Sequence, residues 1–341
     1  MKQKNGGHAP EHETRKPDIP LVAFDDIKLG VQRRYLIKGL IPRVGLTVVW
    51  GPPKCGKSFW TFDAMMHVAL NWEYDSRRVH GGPVVYCAFE GQIGMQARAE
   101  AFRQRFLASE TSRIPFFLVP VTLNLVRDHR RLIAAIKERL GTESPVAVAL
   151  DTLNRSIPGS ESSDEDMTAY IQAADVIRER FECAIPIVHH CGVDGTRPRG
   201  HTSLTGACEA QLSVARDRGD NVTVTVEHMK DGPDGETLSC RLEKVDVGFD
   251  EDGEAISSCV VVPIKLQQPA AKEPRLTKDQ RTMFSILHDA GGFLSKEDWN
   301  SRARDAGLGR KRNADLFDLR SSLIAKNLVR ENAEGFRVRH E

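Results

Sequence analysis

The feature that most constrains the fold is the stretch "GPPKCGKS" (51–58), which stands between a strand-like run and a helix-like run. The apolar, β-branched run "LTVVW" (46–50) precedes it, and "KSFWTFDAMMHVALN" follows from Lys57. The stretch matches G-x-x-x-x-G-K-[ST] at every fixed position and in the strand–loop–helix context that gives the pattern its meaning. This arrangement predicts an α/β fold in which the loop connects the end of a strand to the start of a helix.

The chemistry of this loop indicates phosphate binding. Glycines allow the backbone to turn tightly and to bring its N–H groups against phosphate oxygens, and the start of a helix favours anions. We therefore predict ATP or another nucleoside triphosphate as the ligand, with Lys57 reaching the β- and γ-phosphates and the hydroxyl of Ser58 coordinating Mg²⁺. The predicted nucleotide-binding residues are Gly51, Pro52, Pro53, Lys54, Cys55, Gly56, Lys57, Ser58 and Phe59. A glycine loop without a ligand would leave Lys57 and Ser58 unexplained.

Alternating strands and helices follow the loop. The predicted strands are 83–89, 115–120, 146–151 and 185–190, and the predicted helices are 92–108, 128–140 and 166–181. Short apolar strands that alternate with helices predict a mostly parallel sheet with helices on both faces. Three closely spaced strands at 210–216, 221–230 and 236–248, separated by turn signals, are predicted to extend this sheet in antiparallel fashion.

The length of 341 residues favours two domains. We predict a disordered tail over 1–20, an ATPase domain over 21–266, a linker over 267–274 and a small domain over 275–341. The small domain has three predicted helices and a hairpin, in the order of a winged helix-turn-helix. Residues 272–341 contain 15 Lys or Arg and 11 Asp or Glu, hence a net charge of +4. Basic side chains open its third helix, which can enter a major groove in that fold: Arg310, Lys311 and Arg312. Winged helices also serve as protein-interaction modules, so both possibilities stay open.

Overall charge and cysteine use describe the whole chain. The net charge of +1 gives no chain-wide signal for nucleic acid, so any such surface must be local. Seven cysteines without a C-x-x-C pair, several within apolar runs, indicate reduced thiols in a cytoplasmic protein. No apolar run reaches the ~18 residues that span a bilayer, and the N-terminus lacks the apolar core of a signal peptide. We expect no membrane association.

Three of the predicted strands end in polar residues. Asp151 ends one strand and is the expected second Mg²⁺ ligand, acting mainly through water. Glu90 follows another and is a candidate base for the attacking water. His189 and His190 end a third. Because ligands bind outside the carboxyl ends of parallel strands, all of these residues are expected at the nucleotide site. Successive strand residues point to opposite faces, so one histidine should face the γ-phosphate and the other should pack behind it.

The stretch "IVHHCGVDGTRPRGH" (187–201) also suggests a metal site, because it contains three histidines and a cysteine. Zinc requires three or four converging ligands. A loop with Gly, Pro and Arg separates Cys191 from His201, and their spacing matches no known ligand pattern. We therefore assign the histidines to the nucleotide site.

In order and context these motifs resemble RecA/DnaB-type ATPases over about residues 33–247, and more closely the hexameric plasmid replicative helicases of the RepA type and related phage and plasmid AAA-type ATPases. The resemblance implies a RecA-like core in which Lys57 and Ser58 bind phosphate and Mg²⁺, Glu90 is the catalytic base and Asp151 is the Walker B carboxylate. It further implies that His190 is the polar sensor, with His189 as the second candidate.

The resemblance also assigns roles to basic residues. The loop "TRPRGHTSLTG" is similar to a mobile loop that faces the central channel of the ring, where single-stranded DNA passes. Arg197 and Arg199 would contact DNA phosphates there. Arg199 or Lys230 would act as the finger that reaches the γ-phosphate of a neighbouring subunit. One feature departs from the family: the loop after Asp151, "GSESSDED", is acidic where a DNA-gripping loop would be basic.

Two hypotheses follow. The first is a ring-forming ATPase, expected to be a hexamer, that translocates on or unwinds DNA in plasmid or phage replication. The second is a replication-initiation or regulatory factor that binds duplex DNA through its winged helix and uses ATP as a switch. A nucleotide-dependent scaffold, such as a defence or partition ATPase, is a third possibility.

Overall fold

The computed structural model describes most of the chain: residues 21–28, 34–108, 110, 112–192, 195–217, 219–264, 276–309, 314–326, 328–332 and 335–338. The chain forms two compact units, Met1–Lys265 and Leu266–Glu341. The predicted tail and linker, and also Arg310, Lys311 and Arg312, lie outside the described residues.

The first unit contains eleven strands and six α-helices within its described residues, after a 3₁₀ turn at Phe24–Asp26. The strands are β1 (Tyr35–Ile37), β2 (Ile41–Pro42), β3 (Gly45–Gly51), β4 (Val84–Ala88), β5 (Phe116–Val119), β6 (Ala147–Asp151), β7 (Ala184–His190), β8 (Ala210–Arg216), β9 (Asn221–Met229), β10 (Thr237–Phe249) and β11 (Ala255–Pro263). The helices are α1 (Lys57–Leu70), α2 (Gln92–Phe106), α3 (Leu125–Leu140), α4 (Leu153–Ser156), α5 (Asp164–Phe181) and α6 (Ser203–Ala207).

Nine of these strands form one sheet in the order β11-β10-β9-β8-β3-β7-β6-β4-β5. Six neighbouring strands pair in parallel, in the sheet order β8-β3-β7-β6-β4-β5. The strands β9, β10 and β11 continue the sheet in antiparallel fashion. Two apolar cores cover the two faces, one formed with α1 and α2 and the other with α3 and α5. This architecture confirms the predicted α/β class, with a mostly parallel sheet, helices on both faces and antiparallel C-terminal strands.

Two strands of the nine-stranded sheet differ from the prediction. The 210–216 stretch was expected to be antiparallel, but β8 runs parallel to β3, with Thr47 opposite Ala210 and Trp50 opposite Ser213. The connection from β7 contains α6 and is long enough to cross over the sheet, as a parallel pair requires. The edge strand β11 was not predicted at all. It pairs with β10 from Cys240 to Phe249 and packs against α2, which covers its apolar half.

The acidic stretch "GSESSDED" is partly helical rather than a channel loop. Ser163 caps α5 by accepting a hydrogen bond from the N–H of Asp166, and Asp164, Glu165 and Asp166 form the first turn. Carboxylates are stabilised at a helix N-terminus by the helix dipole. The acidity of these three residues therefore has a local structural cause.

The second unit contains three helices and a three-stranded antiparallel sheet in its described part. Its elements are α7 (Lys278–Asp289), β12 (Phe293–Leu294), α8 (Lys296–Asp305), α9 (Ala314–Ala325), β13 (Val329–Asn332) and β14 (Gly335–Val338). The sheet order is β12-β14-β13, and Trp299 and Phe336 pack together in the core. In the described portions of both units, no helix has the length and apolar character needed to cross a membrane.

Candidate functional site

The loop between β3 and α1 is shaped for an anion. Gly56 precedes α1 with a left-handed φ of 102°, and among the described residues no side chain caps this helix N-terminus. A Cβ atom on Gly51 would lie 2.1 Å from the carbonyl oxygen of Val214, so only glycine fits against β8. The side chains at the tip of the loop, 52–54, are exposed to solvent. The first turn of α1 is therefore open to a ligand.

Lys57 is folded back over the loop. Its Nζ donates to the carbonyl oxygens of Gly51 at 3.0 Å and Pro52 at 2.7 Å, and lies 3.9 Å from the Sγ of Cys55. The side chain is only 5% exposed, and no described carboxylate forms an ion pair with it. A buried ammonium held only by neutral groups is poorly compensated. Phosphate oxygens would supply the missing negative charge.

Ser58 and Asp151 lie together beside this loop. The Oγ of Ser58 donates to Oδ1 of Asp151 at 2.9 Å, and the hydroxyl of Tyr86 donates to Oδ2 at 2.7 Å. Burial raises the pKa of Asp151, while these two hydrogen bonds and the charge of Arg98 oppose that rise. A hydroxyl and a carboxylate at this distance provide the oxygen ligands that Mg²⁺ prefers.

Arg98 on α2 supports the same corner. Its guanidinium donates to the carbonyl oxygen of Ser58 at 3.2 Å and lies 4.1 Å from the ring centroid of Phe59. This contact fixes the start of α1 and places a positive charge near Asp151.

Glu90 lies just beyond β4, at the same edge of the sheet. Its Oε2 accepts a hydrogen bond from the Oγ1 of Thr152 at 3.4 Å, and its Oε1 lies 3.6 Å from Arg155. The side chain is half exposed, so water can reach it. The structure thus places a solvent-accessible carboxylate close to the metal-binding candidate, as the assignment of a base requires.

The two histidines at the end of β7 face different surroundings. His190 pairs with Gly51 of the phosphate loop, and Cys191 donates to the carbonyl oxygen of Gly51 at 3.1 Å. The pKa of His190 is lowered by burial and then by the nearby charge of Lys57, and its Nδ1 is buried without a described partner. His189 is fully buried, its pKa is lowered by burial, and its Nε2 contacts the carbonyl oxygen of Arg199 at 2.7 Å. His190 therefore borders the phosphate loop and His189 borders the following loop; the sensor role of either stays a prediction.

The structure places the three basic candidates in different positions. Arg197 is exposed in the loop after β7. Arg199 in the same loop has its Nε 3.1 Å from Oε2 of the buried Glu161. Lys230 follows β9 at the edge of the sheet opposite the phosphate loop, where it forms an ion pair with Glu209 at 3.3 Å. Their roles toward DNA or a neighbouring subunit stay predictions.

The residues at the phosphate loop fit Mg²⁺ and ATP. The observations are the uncompensated Lys57 ammonium, the uncapped start of α1, the Ser58–Asp151 pair and the unpartnered Nδ1 of His190. As for zinc, no group of three or more His, Cys, Asp or Glu among the described residues is arranged to hold a metal ion.

Sequence reasoning missed several residues of this site. Tyr86, Arg98, Thr152, Arg155 and Glu161 all contact the predicted residues. Only Tyr86 left a signal in the sequence, because its hydroxyl interrupts the apolar strand "VVYCAF". The others reach the site through tertiary contacts that no local pattern reveals.

Three comparisons relate the chain to known proteins. The profile of a family described as "AAA domain" matches residues 11–196, more than half of the chain. A comparison with curated proteins gives no match. Similar solved structures include a RadB recombinase, with 17% identity, a TM-score of 0.43 and coverage of 60% of this chain and 90% of that one. A KaiC-like protein from Pyrococcus horikoshii OT3 has 12% identity, a TM-score of 0.43 and coverage of 67% of this chain and 94% of that one. The family match alone supports the assignment that follows.

Proposed function

The chain belongs to the AAA domain family and is a P-loop ATPase, and we propose that it is a ring-forming motor that moves along or unwinds single-stranded DNA. The observation that supports this most is the direct link between the phosphate loop and a basic loop. The backbone N–H of Cys191 donates to the carbonyl oxygen of Gly51, and the backbone N–H of Arg199 donates to the carbonyl oxygen of His190 at 2.9 Å. A change at the phosphates would therefore be transmitted to the loop that contains Arg197 and Arg199.

Hydrolysis would use residues of one sheet edge. Lys57 would bind the phosphates, and Ser58 and Asp151 would hold Mg²⁺, which would supply positive charge to the phosphate oxygens. Glu90 orients the attacking water and takes its proton, because it is an exposed carboxylate at the same edge. His190 contacts the transferred phosphoryl group from the strand beside the loop.

A ring is supported by the position of Lys230. This side chain is 61% exposed and lies at the edge opposite its own phosphate loop, where a phosphate bound by another subunit could approach it. An arginine or lysine supplied by a neighbour stabilises charge in the transition state and makes hydrolysis depend on assembly. We therefore propose a homo-oligomer, expected to be a hexamer.

The test is steady-state ATP hydrolysis by the purified protein, measured alone, with single-stranded DNA and with duplex DNA. We expect several-fold stimulation by single strands and no hydrolysis by the Lys57→Ala control. A wild-type rate that is indifferent to single strands would refute the motor.

A second function is favoured by the second unit. Three helices followed by the hairpin β13-β14 are the order predicted for a winged helix, and this order supports the proposal of an ATP-switched factor that binds duplex DNA. One observation opposes it: α9 exposes Phe317 and Asp318, and its one Lys or Arg with a described side chain, Arg320, is buried. A chain that ends at about residue 265 and loses duplex binding while keeping ATPase activity would favour this second function.

A further inference from the structure

Glu161 joins two loops that follow neighbouring strands of the nucleotide edge. It lies between α4 and α5, and its side chain is 6% exposed. The Nδ2 of Asn154 donates to its Oε1 at 2.6 Å, and the Nε of Arg199 lies 3.1 Å from its Oε2. A buried carboxylate in a surface segment is unusual, since glutamate is almost never fully buried without a partner.

The backbone of the second loop, 195–202, is held against the same residue. The N–H of His201 donates to the carbonyl oxygen of Glu161 at 2.8 Å. Gly200 has a left-handed φ of 92°, and a Cβ on it would lie 2.3 Å from that oxygen. Only glycine allows so close an approach, so the loop is built to pack on Glu161.

The two side chains of the Glu161–Arg199 ion pair differ in their exposure to solvent. Arg199 is 58% exposed, whereas the carboxylate is buried. Moreover, Oε2 has no aligned hydrogen bond from any described residue, so the guanidinium lies near the oxygen without pointing an N–H at it. Arg199 can therefore turn outward to another anion, but Glu161 cannot follow it.

The same arginine is attached to the nucleotide edge through its backbone. Its carbonyl oxygen contacts the Nε2 of His189 at 2.7 Å, and its N–H donates to the carbonyl oxygen of His190. The position of the loop and the position of the two histidines are thus not independent.

We propose that Glu161 is a positioning residue that holds Arg199 against its own chain, in competition with a phosphodiester of single-stranded nucleic acid. The ligand class rests on the proposed function, whereas the hold of Glu161 on Arg199 does not. Binding of a phosphodiester transfers Arg199 from Glu161 to the ligand, and the loop moves with it.

The rate of cleavage by trypsin tests, without any ligand, whether Glu161 holds Arg199 in place. Pro198 follows Arg197 and blocks cleavage there, so Arg199–Gly200 is the peptide bond that reports the loop. Glu161→Gln keeps an oxygen for Asn154 but removes the charge that attracts Arg199. We expect cleavage after Arg199, followed by mass spectrometry of the fragment beginning at Gly200, to be roughly two- to fivefold faster than in the wild type. The matched control is Glu165→Gln, which removes an exposed charge from the first turn of α5 and should leave cleavage unchanged.

Binding of a labelled oligothymidylate, measured without ATP hydrolysis, tests whether Glu161 and a phosphodiester compete for Arg199. Glu161→Gln should bind about two- to fivefold more tightly. The slope of log affinity against log salt should steepen by about 0.7, the value for one additional phosphate contact on a single strand. A merely structural role of Glu161 would not change this slope. Glu161→Asp keeps the charge but shortens its reach, and it should show intermediate cleavage and affinity.

Equal cleavage of the wild type, Glu161→Gln and Glu161→Asp would overturn the proposal. Faster cleavage together with tighter binding would support it in full. Faster cleavage in proteins that bind no oligonucleotide at all would support the hold of Glu161 on Arg199 and overturn the proposed DNA ligand.

Discussion

Replacing Tyr86 by phenylalanine tests the metal corner of the site directly. The hydroxyl of Tyr86 is buried and donates to Oδ2 of Asp151 at 2.7 Å, while Ser58 donates to the other oxygen. The substitution removes one hydrogen bond from a buried carboxylate and leaves the ring packing unchanged.

The magnitude follows from the charge of the acceptor. A hydrogen bond to a charged group contributes about 1.5–3 kcal/mol, and both groups are buried, so solvent does not screen it. Tyr86→Phe should therefore raise the pKa of Asp151 further and destabilise its ionised form by about 1.5–3 kcal/mol. This adds to the rise that burial already causes.

The raised pKa of Asp151 determines how the stability of the protein changes with pH. A carboxyl with a raised pKa gives stability that is present at low pH and lost as the pH rises through the folded-state pKa. The loss of stability in Tyr86→Phe should therefore be small in acid, grow with pH and level off once Asp151 is ionised in both proteins. Urea unfolding without nucleotide at several pH values measures it.

Activity should report the same shift. The acid limb of the pH profile of kcat/KM, which reflects the free enzyme, should move to higher pH. The matched control is Tyr170→Phe, since Tyr170 is an equally buried tyrosine whose hydroxyl, among the described residues, hydrogen-bonds to the neutral Oγ of Ser156 at 3.2 Å rather than to a carboxylate. An unshifted acid limb in Tyr86→Phe, or an equal shift in Tyr170→Phe, would refute the assigned role of Asp151.

Two further substitutions test the structure around the loop. Burial raises the pKa of Asp63 to about 8. Its contribution to stability is therefore complete below its unfolded pKa of about 3.9 and is lost as the pH rises to about 8. The gain in melting temperature from Asp63→Asn should increase between pH 5 and pH 9, and a constant difference would contradict this. Gly51→Ala would place a methyl group 2.1 Å from a backbone oxygen and should lower both the melting temperature and nucleotide affinity. Its control, Gly94→Ala, adds a methyl group in open space within α2 and should stabilise the protein by about 0.5–1 kcal/mol; equal effects of the two would show that the close approach at Gly51 is not real.

Features set by local pattern were predictable from the sequence. The phosphate loop, the strand that ends at Asp151 and the alternation of strands with helices all depend on neighbouring residues, and the observed sheet agrees with them. The parallel direction of β8 was not predictable in this way, because it depends on how the connection from β7 crosses the sheet. The edge strand β11 was missed because two serines interrupt the apolar residues of "AISSCVVVP", and because this stretch follows an acidic turn.

The supporting residues of the site were hidden for a related reason. Arg98 lies on a helix whose polar and apolar residues follow no clear period, and it reaches Ser58 only because α2 packs beside α1. Glu161 appears in the sequence as one acid among several. Only the structure separates it from Asp164 and Glu165, which belong to the first turn of α5, and shows it buried against Arg199.

We propose that Glu90 is the base for ATP hydrolysis, at the sheet edge that also holds Lys57, Ser58 and Asp151. The most direct test is single-turnover ATP hydrolysis by Glu90→Gln, with nucleotide affinity measured in parallel. We expect turnover to fall by about 10²–10⁴-fold while ATP still binds, because only proton transfer is removed. Full turnover by Glu90→Gln would contradict the proposal.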